Sequence, residues 1–369
     1  MSSTGCILYA ELLANIRQIS LAATLPSPCD ASTQVVVSAD SKSVVLRHHN
    51  STHTLTLPAK VSLGATVLPI QEKQSGSNSL EWRLPLDVAS LPVSNQADCM
   101  PWSATDLGAK SGVACRRCGT NIVRPGSVTV WKDLPSENWA EMMEFWHCHK
   151  PDHHHHDHYA NTGKAAEESL AARGYGASSA ISAQKGVGFV DLTTLLFDET
   201  DCGTVTVSFF NFRTSAVTLL KWQISCNSAS GAAPDIPECL AATLISTISR
   251  SGSSKSLVMP INDMVHATDG QSNSENAVHI WVINSSIVYA SSAHPQCTPA
   301  IKLLYRPLSL QEADKILEAV TCDSQEINLP AQALNDVMRH LEHSNALLPL
   351  KERKFREWNV GLLTRWEHR

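Results

Sequence analysis

A chain of 369 residues is long enough to bury a large core and points to two domains or two lobes of one. With 43% hydrophobic and 17% charged residues its composition is globular, and a net charge of −6 argues against a nucleic-acid binder, which usually presents a basic face. No apolar run approaches the length of a membrane span, and 11 cysteines scattered over the chain do not form the disulfide framework of a small secreted domain.

The N-terminal stretch CILYAELLANIRQISLAATL carries Glu11, Asn15 and Arg17 and lacks a basic leading region. It is therefore not expected to be a secretory signal, and a cytoplasmic or nuclear protein is expected. Residues 1–95 read as a β-rich lobe. Gln34–Ser38 and Ser43–Arg47 flank a polar turn, Thr52–Leu57 alternates up to Pro58, and Leu80–Leu84 alternates again. Residues 96–151 change character and hold Cys99, Cys115, Cys118 and Cys148. Within them Ser136 is placed as the N-cap of a helix over 136–148, whose Trp139, Met142, Met143 and Trp146 share one apolar face. Residues 152–185 are rich in Ala, Gly and Ser and read as a flexible insertion.

Strands return in a C-terminal lobe over 186–369: Val187–Val190, Thr204–Phe210, Val217–Cys226, His279–Ala290 and Ala300–Tyr305. Helices are expected over 308–320, 331–343 and 349–357, with Pro307, Pro330 and Pro349 at or just before their starts. The class is α+β. Antiparallel strands predominate, in a sandwich or partial barrel, with a zinc-knuckle segment and C-terminal helices.

Cys115-Arg116-Arg117-Cys118 is a spacing that lets two thiolates reach one tetrahedral ion from a tight turn, and Gly119 relieves the backbone directly after it. Pro151 disfavours helix at Lys150, so Cys148 and His149 fall at a fraying helix end where neighbours can both turn to one ion. The expected ligand set for structural Zn²⁺ is Cys115, Cys118, Cys148 and His149, with His147 and Cys99 as reserves for the fourth position. The run of His153 to His156, with His158, reads as a solvated loop. Buried structural thiols are expected at Cys6, Cys202, Cys226 and Cys322.

Three blocks of sequence carry a family likeness: Cys-Arg-Arg-Cys-Gly (115–119), Leu-Pro-Ser-Glu-Asn-Trp (134–139) and Phe-Trp-His-Cys-His-Lys-Pro (145–151). They resemble the HECT-like E3 ubiquitin-protein ligase family, also described as the E2-binding protein family. Gly186–Phe197, Ile301–Pro307 and Trp358–Leu363 are similar to further elements of that family. Asp191-Leu192 departs from the Gly-Asp of the family pattern, and the insertion at 152–185 is long. The resemblance implies a ubiquitin-conjugating enzyme (E2) and ubiquitin as partners, with a cysteine as thioester carrier. It also implies a link to the endonuclease of pre-mRNA 3′-end cleavage and polyadenylation.

Cys148, between His147 and His149, is the candidate catalytic thiol, but a thiolate held in a closed zinc site is a poor nucleophile, so the two roles compete for one sulfur. Two readings follow. In one the protein is an E3-like ligase that binds an E2 and promotes ubiquitin transfer. In the other it is a non-catalytic adaptor that stabilises the 3′-end endonuclease, using the basic run Lys351–Arg356 with Trp358 and Trp366 as anchors. The plainer assignments are a solvated helix face for the run and core positions for the tryptophans. No direct nucleic-acid or membrane contact is expected.

Overall fold

The computed structural model describes residues 5–71, 74–87, 100–134, 183–203, 216–227, 233–261, 276–319 and 321–367. The chain divides into two units, one of Met1–Cys99 with Ile236–His368 and one of Met100–Asp235.

In the first unit β1 (Ile7–Leu13) and β2 (Gln18–Thr24) form an antiparallel hairpin. Arg17 closes its loop in the left-handed region, at φ 53°. β3 (Gln34–Val37), β4 (Ser43–His48) and β5 (Ser51–Thr56) form a separate antiparallel sheet, and β6 (Ser79–Pro85) pairs with β2. Strand side chains alternate between faces, so Leu8, Ala10 and Leu12 of β1 point the same way. They meet Val35, Val37, Val44, Leu46 and Leu55 in one core. That is sheet-on-sheet packing, as the alternation in the sequence implies.

The second unit holds β7 (Val113–Cys115), β8 (Asn121–Val123), β9 (Val130–Asp133), β10 (Val187–Val190), β11 (Thr194–Asp198), β12 (Ala216–Leu220) and β13 (Ile224–Cys226). Their sheet orders are β12-β11-β10-β9 and β13-β7-β8, and only the β9–β10 pairing among them is parallel. Lys221 is fully buried in this unit; its ammonium donates to the carbonyls of Pro101 and Trp102 and anchors that segment.

The chain then returns to the first unit. α1 (Ile236–Ser251) is followed by β14 (Lys255–Ile261) and by the long hairpin of β15 (Asn276–Ser291) and β16 (His294–Ser309). After these come α2 (Leu310–Leu317), β17 (Ser324–Pro330), α3 (Ala331–Leu347), β18 (Lys354–Phe355) and β19 (Trp358–Thr364). Ser309 caps α2, and the Glu312 carboxylate accepts from the Ser309 backbone in return, a capping box. β15 pairs with β1, so strands from both ends of the sequence share one nine-stranded sheet of order β18-β19-β16-β15-β1-β2-β6, with β14 branching from β15 and β17 pairing with β14. The class is α+β with predominantly antiparallel strands, as expected.

Three expectations for individual elements are corrected. The strand expected over Val217–Cys226 is broken by a 3₁₀ turn at Lys221–Gln223, so β12 and β13 enter different sheets. No helix spans 349–357: Leu350–Glu352 makes one 3₁₀ turn, and β18 and β19 follow. Phe355 pairs with Trp358, leaving Arg356 and Glu357 as a two-residue loop with Arg356 at φ 54°, so a hairpin replaces the helix. Conversely, α1 was not anticipated, because Thr243, Ile245, Thr247 and Ile248 are β-branched and weaken its helical signature. No helix among the described residues is long and apolar enough to cross a membrane.

Candidate functional site

The CxxC pair forms the loop of the β7–β8 hairpin. The Cys115 N–H donates to the Thr120 carbonyl at 2.9 Å, and the Gly119 N–H donates to the Cys115 carbonyl at 2.8 Å. Gly119 takes φ 73°, a left-handed conformation that glycine enters without steric penalty. Arg116 fixes the outer side of the turn: its N–H donates to the Gln223 carbonyl at 2.9 Å and its guanidinium to the Pro234 carbonyl at 3.0 Å.

This turn exposes Cys118 and half-buries Cys115. The Cys118 Sγ lies 3.2 Å from the Thr120 hydroxyl. Hydrogen bonds from the Thr120 side chain and backbone, and then from Cys115, hold the Cys118 thiol below its ordinary pKa. Burial acts the other way elsewhere, pushing Cys202 to about 11 and Cys226 to about 12. The turn thus carries two of the thiols that the expected zinc site calls for. Cys148 and His149, with His147, Cys99, the helix expected over 136–148, the strand expected over Thr204–Phe210 and the histidine run, lie outside the described residues, as does most of the 152–185 insertion.

The thiols of Cys6, Cys202 and Cys322 are half-buried and that of Cys226 is buried. Trp358 and Trp366 are 8% and 4% exposed, so neither is the surface anchor that the adaptor reading assigned to it. Trp358 packs against the Arg306 guanidinium, 4.8 Å above its ring, and edge-on against His279. The apolar groups beside the exposed Lys351, Lys354 and Arg356 are instead Leu350 and Phe355, each 50% exposed.

Sequence reasoning also missed a cluster of Asp30, His48 and His49 in the first unit. An adjacent pair of histidines at a hairpin turn was the available signal.

A family model described as HECT-like ubiquitin-conjugating enzyme (E2)-binding matches residues 11–360. The chain belongs to this family. An uncharacterised protein of Saccharomyces cerevisiae, YJR141W, is 23% identical over 268 residues, covering 70% of this chain and 71% of its own length. An uncharacterised protein of Schizosaccharomyces pombe, C1734.10c, is 43% identical over 54 residues, covering 14% of this chain and 15% of its own. No solved structure matches the chain.

Proposed function

We propose that the protein binds a ubiquitin-conjugating enzyme and promotes transfer of ubiquitin to substrates, acting as a scaffold that carries no thioester of its own. The observation that carries this reading is the E2-binding family match across residues 11–360. In it Cys115 and Cys118 hold Zn²⁺ together with Cys148 and His149, and the ion supplies a cross-link between distant parts of the sequence. The tight β7–β8 turn supports this assignment, because it carries both cysteines on one loop.

Chemistry then takes place at the E2. A substrate lysine amine attacks the carbonyl of the E2–ubiquitin thioester. The isopeptide bond forms as the carbon–sulfur bond breaks, the E2 cysteine leaves as thiolate, and the amine's proton passes to a base. The adaptor reading draws support from the exposed Leu350, Lys351, Lys354, Phe355 and Arg356, which offer a basic, apolar hairpin to a client.

Reconstitution with E1, a loaded E2 and ubiquitin separates these readings. The scaffold predicts ubiquitin conjugates that increase with the protein, with no thiol-sensitive adduct on it. An adduct lost in Cys148→Ser would assign that sulfur a carrier role instead, and absence of both adduct and conjugates would favour the adaptor. The metal has its own readout: a chelator should expose Cys118 to maleimide, and added zinc should protect it. Labelling unchanged by either would reject zinc at the turn.

A further inference from the structure

We propose that Asp30, His48 and His49 form a binding site for a divalent transition-metal ion, zinc by the chemistry of its donors, at the edge of the β3–β4–β5 sheet. The inference is independent of the family reading and of the cysteine knuckle.

His48 ends β4, and the register pairs it with Ser51, so His49 and Asn50 form the loop to β5. Successive residues of a strand face opposite sides of a sheet. His49 breaks that alternation by adopting φ 49°, and the two imidazoles come to lie on one side with ring centroids 4.2 Å apart. Both Nε2 atoms approach the same group, the Ser27 hydroxyl, at 2.8 and 3.0 Å. The two ring nitrogens therefore converge on one point, as a metal ion requires of its donors. Asp30 enters from the loop between β2 and β3, its Oδ2 3.7 Å from His49 Nδ1. One ligand atom from each of the three residues lies within 4.8 Å of the others.

A tetrahedral zinc ion with bonds of about 2.0–2.1 Å sets its donors about 3.3 Å apart, so ligand atoms that lie within 4.8 Å of one another must close by at most about 1.5 Å. The side chains able to move are His49 and Asp30, which are 53% and 47% exposed. His48 is the fixed point: it is 1% exposed, and its Nδ1 is 2.9 Å from the Thr33 hydroxyl. Ser32 completes the support, donating to Asp30 through its N–H at 2.9 Å and its hydroxyl at 2.6 Å, and lying 3.2 Å from His49 Nδ1. Such outer contacts orient metal-binding imidazoles and carboxylates.

Two imidazoles and a carboxylate suit zinc, with water on the exposed side as the remaining ligand. Ser27, His49 and Asp30 also follow one another in the order of a hydrolytic triad. However, 3.7 Å between Asp30 and His49 exceeds a hydrogen bond, and His48 shares the Ser27 hydroxyl.

The test uses the full chain with His153 to His156 and His158 replaced by serine in every arm, stripped with chelator and equilibrated with zinc. Bound metal is counted after gel filtration. His49→Ala should bind about one zinc fewer than its parent, and Asp30→Asn should weaken the same equivalent by about tenfold or more. Cys115→Ser should retain that equivalent. Both site variants change exposed side chains, and circular dichroism checks that they fold. Equal zinc counts in the folded parent and His49→Ala would overturn the proposal. So would zinc-edge anomalous density in crystals that lies elsewhere and leaves these three residues bare.

Discussion

His279 illustrates how one buried titratable group sets a pH dependence. It is 6% exposed, with Nε2 3.3 Å from the Ser324 hydroxyl and Nδ1 3.5 Å from the Arg306 guanidinium. Burial, then the charges of Arg306 and Lys255, depress its pKa to about 4, against a weaker opposing pull from Asp323. The unfolded chain therefore binds more protons than the native one below the ordinary value of 6.5, and stability falls as the pH drops from there toward 4. Between pH 6.5 and 4.5 this residue alone should cost the wild type on the order of 2 kcal/mol. Urea midpoints of wild type and His279→Asn at the two pH values check this. The variant should lose that much less on acidification, and equal losses would show that His279 does not carry the effect.

At the scale of elements, α3 lies on β19 through a glycine. A Cβ at Gly361 would come within 2.8 Å of the Leu341 Cδ2 and 3.1 Å of the Tyr305 ring. Helix and strand meet at van der Waals distance only because that atom is missing. Gly361→Ala should destabilise the protein by about 1–3 kcal/mol through overpacking. Shortening the opposing side chain in Gly361→Ala/Leu341→Val should recover part of the loss, a non-additive pair measurable by denaturant melts. If the double variant loses the sum of the two single losses, the contact is not the cause. The same scale shows what the sequence could and could not convey. The β3–β4 hairpin was legible because Val35, Val37, Val44 and Leu46 alternate about a polar turn. The β18–β19 hairpin was not, since the charged run Lys351–Arg356 shows no strand alternation and Arg356 gives no sign of its left-handed backbone. The Cys115–Cys118 turn was legible because its spacing is local. Asp30 and His48 meet through a loop and a strand register that no local pattern encodes.

Across the whole molecule, the first unit depends on segments from both ends of the chain, and one charge cluster joins them. The Lys302 ammonium of β16 pairs with Glu11 of β1 at 2.7 Å and with Glu352 of the 350–352 turn at 3.6 Å. Tyr9 donates to the same Glu11 carboxylate at 2.9 Å. The Lys302 and Glu11 side chains are 16% and 7% exposed, so each charge relies on the other for the water it has lost. Lys302→Met would strand two carboxylates, and breaking such a buried pair from one side should cost about 3 kcal/mol or more. Because Glu11 and Lys302 are 291 positions apart within the first unit, the loss should lower the urea midpoint at which that unit unfolds, read by far-ultraviolet dichroism. Glu352 behaves differently. Burial pushes its carboxyl above the ordinary 4.5, only partly offset by Lys302. The native state then holds that proton more tightly than the unfolded chain, so stability from this residue is full at acid pH and declines as the pH rises through the raised value. Glu352→Gln should remove that decline and leave the midpoint at neutral pH equal or higher, whereas Lys302→Met lowers it. If both variants lower the neutral-pH midpoint alike, Glu352 is a required partner of Lys302, and burial is not the dominant influence on it.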